Sequence, residues 1–243
     1  MNTVGTVSEQ LDTYKSELNA ELGHILDYWI NHAQDTVDGG FYGKVKNDNH
    51  PVADAPKGSV LNARILWSFS SAYNLTGKKE YLKIADRAYR YIGDHVIDKN
   101  YEGVYWTVDH LGKKLDAKKQ VYASAFTIYA FSEYYKASGQ EEVLTQAIDL
   151  YKLLVDKSFD RDKTGYLEAF TEDWQPISIA RGLSALMTME TPAMRPPPPI
   201  DPTTISTSGS CSRISVPTVP CPAITKGSAK AWIKTRPVLT AIF

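Results

Sequence analysis

The chain has 243 residues, 43% hydrophobic and 23% charged, an ordinary balance for a soluble globular protein. Its formal net charge of −1 gives no electrostatic basis for nucleic acid as a partner, and no apolar run is long enough to span a membrane. The opening residues, MNTVGTVSEQLDTYK, lack the basic and apolar regions of a secretory signal, and two cysteines, Cys211 and Cys221, suit a cytoplasmic protein better than a disulfide framework.

In chain order, the periodicity predicts a first helix over about residues 8–33. A glycine-aromatic segment, DGGFYGKV, follows and reads as a short hairpin. A helix over about 60–75 comes next, stopped by Gly77 in the manner of a C′ glycine, then a helix over about 79–96. A second hairpin, YEGVYWTV, leads to helices over about 120–137 and 141–157, and a third, KTGYLEAF, closes the pattern. Gly40, Gly103 and Gly165 are 63 and 62 residues apart, and AYNLTGKKEYLKIADRAY (72–89) aligns with YYKASGQEEVLTQAIDLY (134–151) at an offset of 62. Each unit is therefore helix, glycine turn, helix, hairpin. The fold class is all-α, built of helix pairs with short β-hairpins between them. Such pairs stack as a solenoid or close into a toroid.

The pattern ends near residue 178. Residues 1–178 carry 20 basic and 26 acidic side chains; residues 179–243 carry 7 and 2. Ten of the 13 prolines and both cysteines fall in the second segment, but no tyrosine or histidine. This Pro/Ser/Thr-rich tail has no sustained period of 3.6 or 2, and its prolines forbid a long helix. Two regions are expected: 1–178, the helix pairs, and 179–243, a tail that is disordered or translated out of frame.

The first helix of each pair is the inner one, and its aromatics (Trp67, Phe69 and Tyr73; Phe126, Tyr129, Phe131 and Tyr134) suit both core packing and stacking against sugar C–H faces. Arg64 interrupts the apolar run KGSVLNARILWSFSSAY, and the repeat does not demand a charge there, because its counterpart 62 residues on is Phe126. Other chemistries read poorly. There is no phosphate loop or zinc-protease helix, the cysteines lack histidine partners, and GLSAL at 182–186 lacks the second glycine of a nucleophile elbow.

The segments GGFYG, KGSVLNARILWSFSSAY, EYLKIADRAYRYI, GVYWTVDHLGK, KKQVYASAFTIYAFSEYY and SFDRDKTGYLEAFTEDW together resemble the cellobiose 2-epimerases of the N-acylglucosamine 2-epimerase superfamily. The resemblance runs over about residues 10–178. It implies an (α/α)6 barrel around a sugar cleft, incomplete here: six units of 62 residues need about 370. It implies C2 epimerisation of the reducing-end glucose of cellobiose or a related β-1,4-disaccharide, through ring opening and a cis-enediolate, without metal or other cofactor. Arg64 matches the family's arginine at the substrate oxygens, Tyr122 matches a tyrosine lining the cleft, and Asn62, Trp106 and Phe126 are further candidate substrate contacts. The family's acid/base histidines lie on later helices, and none of His24, His32, His50, His95 and His110 matches them, so no catalytic residue is identified and the chain as it stands is expected to be inactive. A small disaccharide is the expected partner, with no nucleic acid or membrane; oligomeric state stays open. Two other readings stand beside it: a glycoside hydrolase using carboxylates such as Asp38, Asp109, Glu168 and Asp173, and a non-catalytic sugar-binding module.

Overall fold

The computed structural model describes residues 7–161, 163 and 165–177. The expected tail, 179–243, lies outside the described residues. Helix α1 spans Val7–His32. The first pair is α2 (Ser59–Thr76) and α3 (Lys79–Tyr91), and the second is α4 (Val121–Ser138) and α5 (Glu141–Ser158). These match the predicted helices with one physical difference: α3 stops being α-helical at Tyr91, and Ile92–Val96 continue as a single π-helical turn. The wider turn closes with the Ile97 N–H donating to the Ile92 carbonyl.

Local chemistry explains the helix ends. Gly77 and Gly139 adopt the left-handed conformation (φ 71° and 69°), and their N–H groups donate at 2.8 Å to the carbonyls of Tyr73 and Tyr135. Any side chain there would carry the left-handed penalty, which glycine escapes. Glu80 in the first turn and Arg90 in the last complement the dipole of α3, as Glu141, Glu142 and Lys157 do for α5.

Helix α2 packs against both α3 and α4, and α4 against α5, so α2 and α4 lie side by side with an outer helix on each. The core between them is apolar: Ile65, Leu66, Phe69, Ile84, Ala88, Phe131, Val143 and Leu144 are all buried.

The short strands repeat with the same period as the helices. Gln34 bridges Phe41, Ile97 bridges Val104, and Phe159 pairs with Tyr166. Farther along each hairpin, Val45 bridges Pro51, Val108 pairs with Lys114, and Phe170 bridges Pro176. The strand preceding each inner helix pairs with the hairpin that follows its outer helix. Thus β1 (Lys57–Gly58) pairs with β2 (Thr107–Val108), which also holds β3 (Lys114–Asp116), and β4 (Lys119–Gln120) pairs with β7 (Ala169–Phe170). Strands β5 (Phe159–Asp160) and β6 (Gly165–Tyr166) form the remaining ladder. This layer ties together the N-terminal ends of the inner helices, and the candidate residues are gathered there.

Candidate functional site

Each inner helix starts from a buried ion pair. Lys57, fully buried, donates to Asp35 Oδ2 at 2.7 Å and to the Gly39 carbonyl at 2.8 Å. Lys119, also fully buried, donates to Asp98 Oδ2 at 2.5 Å. Each aspartate also accepts two backbone N–H groups of its own turn, from Val37 and Asp38 at Asp35 and from Asn100 and Tyr101 at Asp98. Burial alone would push both carboxyls up; the lysine and the two N–H donors outweigh it and hold them below the ordinary aspartate value. Burial also pulls the Lys119 ammonium down, so the pair's net worth is smaller than its attraction suggests. Sequence reasoning missed these four residues. The available signal was positional, since Lys57 and Lys119 are 62 apart, each preceding an inner helix, and Asp35 and Asp98 are 63 apart.

From that anchored end, α2 exposes one stripe. Ala63, Ile65, Leu66 and Phe69 turn inward, whereas Arg64 is exposed and has no hydrogen-bond or ion-pair partner among the described residues. One turn on, on the same face, Trp67 stacks on Tyr129 of α4 with ring centroids 5.0 Å apart and planes 20° from parallel. Tyr129 meets Phe126 edge-on at 6.4 Å, and Phe126 meets Tyr122 at 4.8 Å. Four rings thus run from α2 across to the first turn of α4, beginning one turn from the Arg64 guanidinium. Burial and Glu133 push the Tyr129 phenol up to about 12, so its hydroxyl stays protonated and able to donate at neutral pH.

The five candidates are therefore not equivalent. Tyr122 (41% exposed) and Phe126 are brought into ring contact and share the face of Arg64's neighbour Trp67. Asn62 is fully buried; its Nδ2 donates to the Gly58 carbonyl at 2.9 Å, and its Oδ1 has no partner among the described residues. It braces the first turn of α2. Trp106 sits in the hairpin beside that turn, where its carbonyl accepts from the backbone N–H and hydroxyl of Ser59 and its ring lies 5.4 Å from the Lys118 ammonium.

Four of the five histidines have other neighbours. His24 and His50 are exposed beside Glu21 and Asp48, His32 rests on Tyr28, and His95 lies over Tyr91 with Nδ1 3.2 Å from the Gly112 carbonyl. Two of the four candidate carboxylates serve turns: the Asp109 carboxylate accepts from Lys113 N–H, and Asp173 accepts from the Thr171 hydroxyl; Asp38 enters its turn through its backbone N–H, which donates to Asp35. Among the described residues no group of three or more histidine, cysteine, aspartate or glutamate side chains could hold a metal ion. An open cavity of about 600 Å³ lies elsewhere, between α3 and the first hairpin, lined by Gly39, Gly40, Lys83, Arg87, Tyr91 and His95. Arg87 is structural there, donating to the carbonyls of Gly40 and Asp35.

Helix pairs tied by hairpins at one end, with an exposed arginine and a largely half-buried row of rings near that end, describe part of an α/α toroid. The chain belongs to the N-acylglucosamine 2-epimerase family, which it matches over residues 40–194. It is 44% identical over 168 residues to the cellobiose 2-epimerase of Bacteroides fragilis, covering 69% of this chain and 43% of that one. It is 40% identical over 179 residues to the cellobiose 2-epimerase of Ruminococcus albus, covering 72% and 45%. The solved cellobiose 2-epimerase of Spirochaeta thermophila superposes with a TM-score of 0.68 at 40% identity, over 73% of this chain and 45% of the other. The chain thus spans less than half the length of these relatives. The family match continues to residue 194, past the composition change near 178.

Proposed function

We propose that the chain is the N-terminal part of a carbohydrate epimerase that inverts C2 of the reducing-end glucose of cellobiose or a related β-1,4-disaccharide. In this reading Arg64 contacts the sugar oxygens near C1 and C2, and the rings of Tyr122, Phe126, Tyr129 and Trp67 support the sugar's C–H faces. The observation that carries it is the exposed Arg64, without a partner among the described residues, one turn from the Trp67–Tyr129 stack in a chain of this family. A guanidinium stays charged at every working pH and offers a planar fork to two oxygens.

The chemistry requires ring opening, then removal of the C2 proton by a general base. Negative charge spreads over O1 and O2 of a cis-enediolate, where a fixed cation is most effective. Rotation about C2–C3 and return of a proton to the other face complete the inversion. The base and the acid need pKa values near neutrality, which histidine supplies. Among the described residues no histidine makes a hydrogen bond or ring contact with Arg64 or the ring row, so in this reading the chain by itself binds sugar and does not turn it over. Arg64 and the ring row are the binding half of the site.

The test is twofold. Cellobiose should change the tryptophan fluorescence of the wild-type chain, and Arg64→Met should weaken that response at least tenfold. Incubation with cellobiose should yield no glucosyl-mannose. An unchanged response in Arg64→Met removes the arginine from the binding site, and accumulation of the epimer by the chain alone refutes the assigned division of labour.

A further inference from the structure

We propose that Glu168 is a substrate-binding residue that fixes the glucosyl unit beyond the reducing end, its carboxylate accepting hydrogen bonds from that unit's hydroxyls. The inference rests on the functional reading above and gives a role to a carboxylate which that reading leaves unused.

The repeat fixes where Glu168 sits. The first backbone N–H of α2, at Ser59, donates to the Trp106 carbonyl at 3.2 Å, and the first of α4, at Val121, donates to the Glu168 carbonyl at 3.0 Å. Positions 106 and 168 are 62 apart, and the register beside them repeats as well: Gly58 faces Thr107, and Gln120 faces Ala169. Each hairpin therefore sets one residue against the start of the inner helix of its own pair. At α2 that residue carries an indole; at α4 it carries a carboxylate. Tyr122, the last ring of the row, directly follows Val121. The row thus begins one turn from a cation, Arg64, and ends next to the residue that Glu168 holds.

Glu168 is half-buried, and its carboxylate has no hydrogen-bond or ion-pair partner among the described residues. Other carboxylates of the same layer are engaged: Asp116 with Lys118 at 2.9 Å, Glu172 with Lys114 at 2.8 Å, and Asp109 with the Lys113 N–H. The structural service of Glu168 is its main-chain carbonyl, which any residue supplies, as Trp106 does at α2. Holding an uncompensated carboxylate partly out of water is costly, and nothing in the helix start asks for it. A ligand rich in hydroxyls does. A carboxylate only accepts, a sugar hydroxyl donates, and the charge-assisted bond between them is a strong one. During epimerisation negative charge grows at O1 and O2, which a second negative charge would oppose, so the carboxylate suits the unit that does not react. Binding energy from that unit holds the reacting carbons in place. Glu168 therefore sets the preference for a disaccharide over a monosaccharide.

The test titrates the tryptophan fluorescence of the 243-residue chain with cellobiose and, separately, with glucose. Glu168→Ala should weaken cellobiose binding about tenfold, and Glu168→Gln by a smaller factor, since the amide keeps one accepting oxygen without the charge. Neither variant should alter binding of glucose, and Glu172→Gln on the same hairpin should alter neither sugar. Urea midpoints close to wild type establish that the variants are folded. Unchanged cellobiose binding in Glu168→Ala, or an equal loss for glucose, overturns the inference and leaves the functional reading standing. Glucose released from cellobiose by the wild type, and lost in Glu168→Gln, would make Glu168 an acid of glycoside hydrolysis and overturn both. A wild-type chain that responds to neither sugar defeats the functional reading, and this inference with it, before any variant is made.

Discussion

Replacing Lys119 with methionine removes the ammonium from the buried pair while keeping most of the side-chain volume. Asp98 is then left at 0% side-chain exposure with the backbone donors Asn100 N–H at 2.9 Å and Tyr101 N–H at 3.1 Å and the Tyr105 hydroxyl beside it. The lost charge-assisted bond is worth about 1.5–3 kcal/mol. Leaving a buried charge uncompensated raises the total to about 3–5 kcal/mol, a large share of the ~5–15 kcal/mol that holds a typical domain folded. The pH dependence follows from the direction of the shift. In the wild type the Asp98 carboxyl sits below its unfolded value, so its contribution is present above the unfolded pKa, near 3.9, and is lost as pH falls through the folded value. Without Lys119, burial dominates and the carboxyl rises above its unfolded value, so acidification from pH 7 towards 4 should narrow the gap between variant and wild type. Urea denaturation followed by tryptophan fluorescence at both pH values measures this. Adding Asp98→Asn to Lys119→Met should recover at least half of the loss, because a neutral amide still accepts the two N–H groups. A loss under about 1 kcal/mol, a gap that does not narrow in acid, or additive single-variant losses would refute the reasoning.

Gly103→Ala should destabilise by at least about 1–2 kcal/mol, since its φ is +74° and a Cβ would lie 2.7 Å from Trp174 Cζ2. Gly77→Ala, with φ +71° and open space around it, should cost only the left-handed penalty of about 1 kcal/mol; thermal melts that rank the two in the opposite order reject the steric account. Phe131, fully buried against Tyr89, should cost about 3–5 kcal/mol on truncation to alanine, read from the shift in urea midpoint. Arg64→Met should leave stability within about 0.5 kcal/mol of wild type while weakening the cellobiose response. A stability loss well beyond that would show that Arg64 holds the helix.

Much of the fold was legible because its signals are local. Helix periodicity, the glycines after α2 and α4, and the 62-residue recurrence are written in consecutive residues. They place each helix to within a residue or two, apart from α3, whose final turn widens into a π-helix. That packing did not require a charge at Arg64 was also readable, because its repeat counterpart is Phe126.

What the tertiary structure decided depends on partners distant in the chain. Asp35 and Lys57 are 22 residues apart, and Asp98 and Lys119 are 21 apart; each pair meets only because the hairpin folds back on the strand before the inner helix. Asn62 and Arg64 look alike as polar residues in one apolar run, yet two residues of helical rotation turn one into the packed interface, bonded to Gly58, and the other outward. Tyr122, Phe126, Tyr129 and Trp67 are spaced like core residues, and only the side-by-side packing of α2 and α4 turns them into a continuous row. Periodicity along a chain says which face of a helix is apolar; the neighbour that covers that face, or leaves it open, is settled in three dimensions.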